Sequence, residues 1–292
     1  MNNCLYFDFY GVGLRVECFD TESLDNIKRD FFYFLKKTLQ NIDIKINIFL
    51  EKPPFEKVPS LKSSLYNPDS IVYDDKDLRY VDHHEKALTI YDYKSEVGKI
   101  YSLDKMLLHE LSYLLILSRV GEFLDKKGIH RIHALGISIP TSKKTQKAVL
   151  CLLPQGAGKT TLALELLKDE QIRLLSDDAP LITSKGKILA FPLRLAVPEG
   201  FFLDIPPQYL RNFQRRKYGN KTLIDIEYFK DKIVSFAEPS IILIGERISS
   251  CDTKIFKIMP RPSTFLQMAL SDLLTEPCLT NVLKSSLSLR NI

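Results

Sequence analysis

The stretch "KAVLCLLPQGAGKTTLALELL", residues 147–167, leaves this chain few ways to fold. An apolar run, a glycine bend and apolar residues at helical spacing spell strand, tight loop and helix in that order. Such a junction is an anion site, because backbone N–H groups converge there and the helix dipole favours negative charge. Gly156 and Gly158 allow the backbone to approach phosphate oxygens that a Cβ would block, with Ala157 between them. Lys159 can set a compact positive charge on terminal phosphates, and Thr160 can offer its hydroxyl to Mg²⁺. Thr161 completes the helix start. Leu153 stands where the full phosphate-loop pattern begins with glycine.

A second apolar run, "IRLLSDDAP", ends in Asp177 and Asp178 and is expected to lie beside the strand that feeds the loop. Two carboxylates at a strand end can divide labour, one taking a metal and the other a proton. His133, in "IHRIHALGISI", is the third candidate, because its strand is expected to pair with the loop's strand. His130 is the weaker histidine, nearer that strand's start. A histidine in an apolar strand is more often a satisfied core residue, and only this pairing lifts His133 above that reading.

Around this centre the chain divides at about residue 127. The first part reads as α+β. It has two strands around Gly11-Val-Gly13, a helix over "SLDNIKRDFFYFLKKTL" capped by Ser23, and a strand "KINIFLEKPP" stopped by Pro53 and Pro54. Residues 55–80 carry no clear period. A strand "ALTIYDY" and a long helix from Ser102 to about Lys126 follow, the helix expected to pack on the C-terminal core. Residues 128–292 read as the catalytic region. It contains an antiparallel pair across "PTSKKTQ", an exposed basic loop at 205–222, a buried strand "PSIILIGER", and a helix "RPSTFLQMALSDLL" with Pro262 in its first turn.

Composition narrows the class. A net charge of +5 suits an anionic ligand but is too small to argue for nucleic acid. Five scattered cysteines fit reduced thiols in a cytoplasmic protein, not a disulfide framework or zinc site. The first residues carry no basic stretch before an apolar one, so a secretory signal is not expected. The greasiest segment, "MLLHELSYLLILSRVGEFL", is interrupted by His109, Glu110, Arg119 and Glu122, and so reads as a buried helix, not a membrane span.

These motifs, in this order, resemble the catalytic domain of HPr kinase/phosphorylase, whose nucleotide-binding core is shared with ATP-dependent phosphoenolpyruvate carboxykinase. That family has a strand histidine, a phosphate loop G-D-S-G-x-G-K-S and an A-D-D-A segment. Here stand His133, "LPQGAGKT" and "SDDA", and "TLALEL" continues like the family's "ETALEL". The resemblance covers about residues 128–270. It implies an α/β, mixed-sheet phosphate-loop core with ATP and Mg²⁺ as cofactors. It further implies that Asp177 handles the acceptor's proton, that Asp178 joins Thr160 at the metal, and that His133 lies near the transferring phosphate. Two softer matches are "FPLRLA" with the family's E-I-R-G and "MPRPS" with its P-G-R-N. They put Arg194 and Arg261 on family arginines, with Pro192 where a metal-binding glutamate is expected.

The expected activity is therefore transfer of the γ-phosphate of ATP to a hydroxyl, most simply a serine, of a small protein or ribosomally made peptide. A small-molecule kinase on the same core and a nucleotide-binding module without transfer are the rivals. No nucleic-acid or membrane partner is expected, and a homo-oligomer is open. The basic stretch with Arg211, Arg215, Arg216, Lys217 and Lys221 reads first as a solvated loop and second as a clamp over an acidic acceptor. Residues 1–127 are assigned to acceptor recruitment.

Overall fold

The structure, a computed structural model, describes residues 3–141, 145–154, 156–201, 204–214 and 219–245. The fold is mixed α/β, in two units: residues 1–124 with 198–227, and residues 125–197 with those from 228 onward. The sequence reading drew a single break, at about residue 127. Residues 198–227, read from the sequence as catalytic, belong instead to the first unit.

In that unit β1 (Cys4–Asp8) and β2 (Gly13–Cys18) form the expected hairpin. Phe9 and Val12 exchange backbone bonds of 3.0 and 3.2 Å across Tyr10 and Gly11, both at positive φ. This two-residue geometry matches the twist of the strands it joins. Helix α1 (Thr21–Asp30) is capped by Asp20, not by Ser23. The Asp20 carboxylate accepts the Ser23 N–H at 2.9 Å, and its charge also suits the helix N terminus. The helix stops at Asp30 because the aromatic run after it turns inward: Phe31 and Phe34 are buried against Phe9.

There follow β3 (Leu35–Lys36), β4 (Ile44–Phe49), β5 (Leu65–Asn67), β6 (Ser70–Asp75), β7 (Leu78–Asp82), β8 (Ala87–Asp92) and β9 (Val97–Ser102). Residues 65–82, without period in the sequence, are thus an antiparallel meander. The nine strands form one sheet in the order β3-β1-β2-β4-β9-β8-β7-β6-β5. Helix α2 (Lys105–Lys126), expected from the sequence to pack on the C-terminal core, lies in the first unit and meets this sheet. Its Tyr113 stacks on Phe31 at 5.3 Å, and a Cβ on Gly98 would come within 2.9 Å of Leu115. Its Arg119 lies over Tyr91 and Tyr93 and pairs with Glu96 at 2.9 Å.

The second unit starts with β10 (Ile129–Arg131), β11 (Leu135–Pro140), β12 (Gln146–Leu152), α3 (Lys159–Leu166), β13 (Arg173–Ser176), β14 (Leu181–Thr183), β15 (Ile188–Leu189) and β16 (Leu195–Pro198). The chain then enters the first unit for β17 (Leu210–Gln214) and β18 (Asn220–Ile224), and returns for β19 (Phe236–Ile244). Seven strands make a mixed sheet in the order β10-β14-β15-β19-β12-β11-β13. β11 and β12 pair antiparallel, as read from the sequence. β13 pairs with β11, so one strand separates it from β12, its expected neighbour. β19 runs parallel to β12 but is not the buried strand expected. Ile241, Ile242 and Leu243 are exposed, and among the described residues β15 flanks β19 only at Phe236 and Ala237.

The expected basic loop is instead ordered as the β17–β18 hairpin over its described residues. The Arg211 side chain is only 9% exposed there. Its guanidinium meets Asp30 at 2.7 Å and Asp225 at 2.9 Å, and Arg29 also pairs with Asp225. His109 Nε2 closes the network on Asp30 at 2.6 Å. The planar fork of Arg211 fits two carboxylates at once, which explains its burial. Lys221 lies in β18, while Arg215, Arg216, Lys217, Arg261 and the helix expected after it lie outside the described residues. Among the described residues no helix is long and apolar enough to cross a membrane.

Candidate phosphate site

β12 delivers the chain into the glycine bend, and α3 carries it away. Gly156 and Gly158 have φ of 76° and 97°, a region that costs other residues strain. A Cβ built on either would meet nothing within 4 Å, so the backbone borders open space there. Ala157 N–H is held by Pro154 O at 3.1 Å, and Leu162 N–H to Gly158 O at 2.9 Å starts the helix. Gly158, at the N-cap, has no side chain to close that end. Leading helix N–H groups of this kind suit an anion, and Thr160 and exposed Thr161 lie in the same first turn.

The Asp-Asp segment reaches this loop although its strand is one place further away than expected. Ser176 shapes it, accepting the Ala179 N–H at 3.0 Å, a role that the S-x-x-A spacing could have signalled. The backbone then ties it to the bend carrying His133: Ile132 N–H donates to Pro180 O at 3.0 Å and Ala134 N–H to Asp178 O at 3.1 Å. His133 sits between β10 and β11, in a bend and not in a strand.

Five expected site residues thus come together. Lys159 Nζ donates to His133 Nε2 at 2.6 Å and to Leu153 O at 2.9 Å, and stands 4.0 Å from Asp178 Oδ1. His133 Nδ1 is 3.3 Å from that same Asp178 oxygen. Thr160 Oγ1 donates to Asp177 Oδ2 at 3.2 Å. Asp177 is buried and Asp178 exposed. Burial first, and the Asp178 charge second, push Asp177 up to about 7, against the pull of Thr160 and Lys159. The Leu153 carbonyl is a partner the sequence could not reveal, because any residue at that position supplies one.

His130, the weaker candidate, is exposed and paired with Asp125 at 2.8 Å. Arg194 is buried just ahead of β16.

The surroundings fit a phosphate group and a hard cation. The open glycine backbone admits the oxygens, and Thr160 beside Asp177 offers the oxygen donors that Mg²⁺ prefers. Among the described residues no cluster of three or more His, Cys, Asp or Glu could hold a metal alone. Mg²⁺ in general takes one or two carboxylates and completes its shell with phosphates and water. Compared with known proteins, the chain matches no family model and no curated sequence.

Proposed function

We propose that this protein is a Mg·ATP-dependent kinase of the HPr-kinase-like type, acting on a hydroxyl of a small protein or peptide. The observation that carries this reading is the convergence of Lys159, Thr160, Asp177, Asp178 and His133 at one helix N terminus. Bound Mg·ATP supplies the phosphoryl group and the cation that offsets its charge. Lys159 and the N–H groups of the bend hold the terminal phosphates.

The two carboxylates are assigned by their neighbours. Thr160 bonds to Asp177, which supports giving this pair to the cation. Asp178 is exposed beside Lys159, which supports giving it the proton of an acceptor arriving from solvent. The acceptor oxygen bonds to the γ-phosphorus, the bond to the leaving diphosphate oxygen breaks, and the proton passes to Asp178. This reverses the roles that the resemblance implied.

The test is direct. The purified chain is incubated with Mg·ATP and a panel of hydroxyl-bearing peptides and small molecules, and the products are weighed. A phosphate-sized mass gain on a peptide, absent with Lys159→Ala, is expected. Gain only on small molecules would make this a small-molecule kinase, and nucleotide binding with no gain would leave a binding module.

A further inference from the structure

We infer that His133 is a positioning residue for Lys159, holding the lysine ready at the phosphate loop before any nucleotide arrives. The resemblance placed this histidine near the transferring phosphate; the geometry gives it another task. Lys159 is only 9% exposed, and a buried ammonium is costly unless hydrogen-bonded. Among the described residues its acceptors include the Leu153 carbonyl at 2.9 Å and His133 Nε2 at 2.6 Å. An imidazole nitrogen that accepts from an ammonium must carry no proton itself. The ring proton therefore sits on Nδ1, which faces Asp178 Oδ1 at 3.3 Å.

The result is one directed chain, Lys159 to His133 to Asp178. It joins the first residue of α3 to the exposed carboxylate through a ring fixed by the backbone bonds of Ile132 and Ala134. A lysine has large rotamer freedom, and holding it in advance removes that cost from phosphate binding. The same ring keeps Asp178 aligned. The inference uses the proposed function only in treating Lys159 as a phosphate ligand, since the contacts stand without it.

Two measurements on metal-free, nucleotide-free protein test it, and neither requires transfer activity. In ¹⁵N-histidine-labelled wild-type chain at neutral pH, His133 should be the Nδ1–H tautomer. An Nε2–H tautomer, or a ring protonated at both nitrogens, would overturn the proposal even if no variant folds. Second, Lys159 is acylated with a small ester and quantified by mass spectrometry. His133→Ala should be labelled about tenfold faster, the scale expected on losing a hydrogen bond to a charged group. His133→Gln, whose side-chain carbonyl can accept in its place, should return the rate towards wild type. Wild-type labelling in folded His133→Ala would sink the idea, and a failed mass-gain assay with these results intact would count against the kinase reading alone.

Discussion

Thr160 Oγ1 lies 3.2 Å from Asp177 Oδ2, and this one contact separates the two neighbouring carboxylates. Asp178 Oδ1 faces His133 and Lys159 instead. If Asp178 takes the proton, Asp178→Asn should lower transfer by about a hundredfold or more, the usual reach of a general base. Its Mg²⁺ requirement should be unchanged. Asp177→Asn should raise the Mg²⁺ concentration needed for half-maximal rate. Initial rates across a Mg²⁺ titration separate the two, and exchanged behaviour would restore the assignment implied by the family resemblance.

Asp177 also makes a pH prediction for the metal-free chain. Its folded-state value is about 7, against an ordinary 3.8. Below the ordinary value both states are protonated and nothing is lost. As pH rises towards 7 the unfolded chain ionises while the folded one does not, so stability falls, and the penalty levels off above 7. Asp177→Asn removes it. The variant should melt higher than wild type at about pH 8, by on the order of 1–4 kcal/mol, and equally at about pH 4. Thermal melts in EDTA give the answer, and a gap of the same size at both pH values would show that Asp177 is not strained in this way.

A third prediction concerns Arg211, which bridges Asp30 and Asp225 inside the first unit. Arg211→Ala leaves two buried carboxylates short of their shared cation. It should cost about 3–5 kcal/mol, the usual penalty for breaking a buried pair from one side. Arg211→Lys should recover little, since a single ammonium does not reproduce the planar fork. Urea melts would reveal it, and an unchanged midpoint for Arg211→Ala would mean that the network holds nothing together.

The contrast between Lys159 and Arg211 shows what was legible in the sequence. Lys159 sits in a pattern decided within a few residues, because strand, glycine bend and helix are local choices, and so are Asp177 and Asp178 at a strand end. That β1 and β2 turn back on each other was readable for the same reason, although the turn falls on Tyr10-Gly11 and not on Gly11-Val-Gly13 as expected. Arg211 was not, since its partner Asp30 lies 181 residues earlier and the surrounding charges look like an exposed loop. β5, β6 and β7 escaped because these short runs mix polar, aliphatic and aromatic residues without strict alternation, and pairing, not period, makes them strands. Strand order is similarly invisible. That β13 lies beside β11, and not β12, is decided by the whole sheet, yet the Asp-Asp segment still reaches Thr160.

The last prediction tests where α2 belongs. If α2 packed on the C-terminal core, as read from the sequence, a chain starting near Leu103 would keep its fold. In the structure the buried face of α2, including Leu108, Leu111, Ile116, Val120 and Leu124, packs within the first unit, whose nine-stranded sheet that truncation removes. Loss of the sheet would expose this apolar face, and loss of Asp30 would leave Arg211 and His109 without their shared carboxylate. Such a chain should aggregate or melt without cooperativity, and residues 1–102 supplied as a separate polypeptide should restore solubility. Size-exclusion chromatography with and without the added fragment reads this out. A soluble, monomeric truncated chain that melts cooperatively would mean that α2 draws its stability from elsewhere.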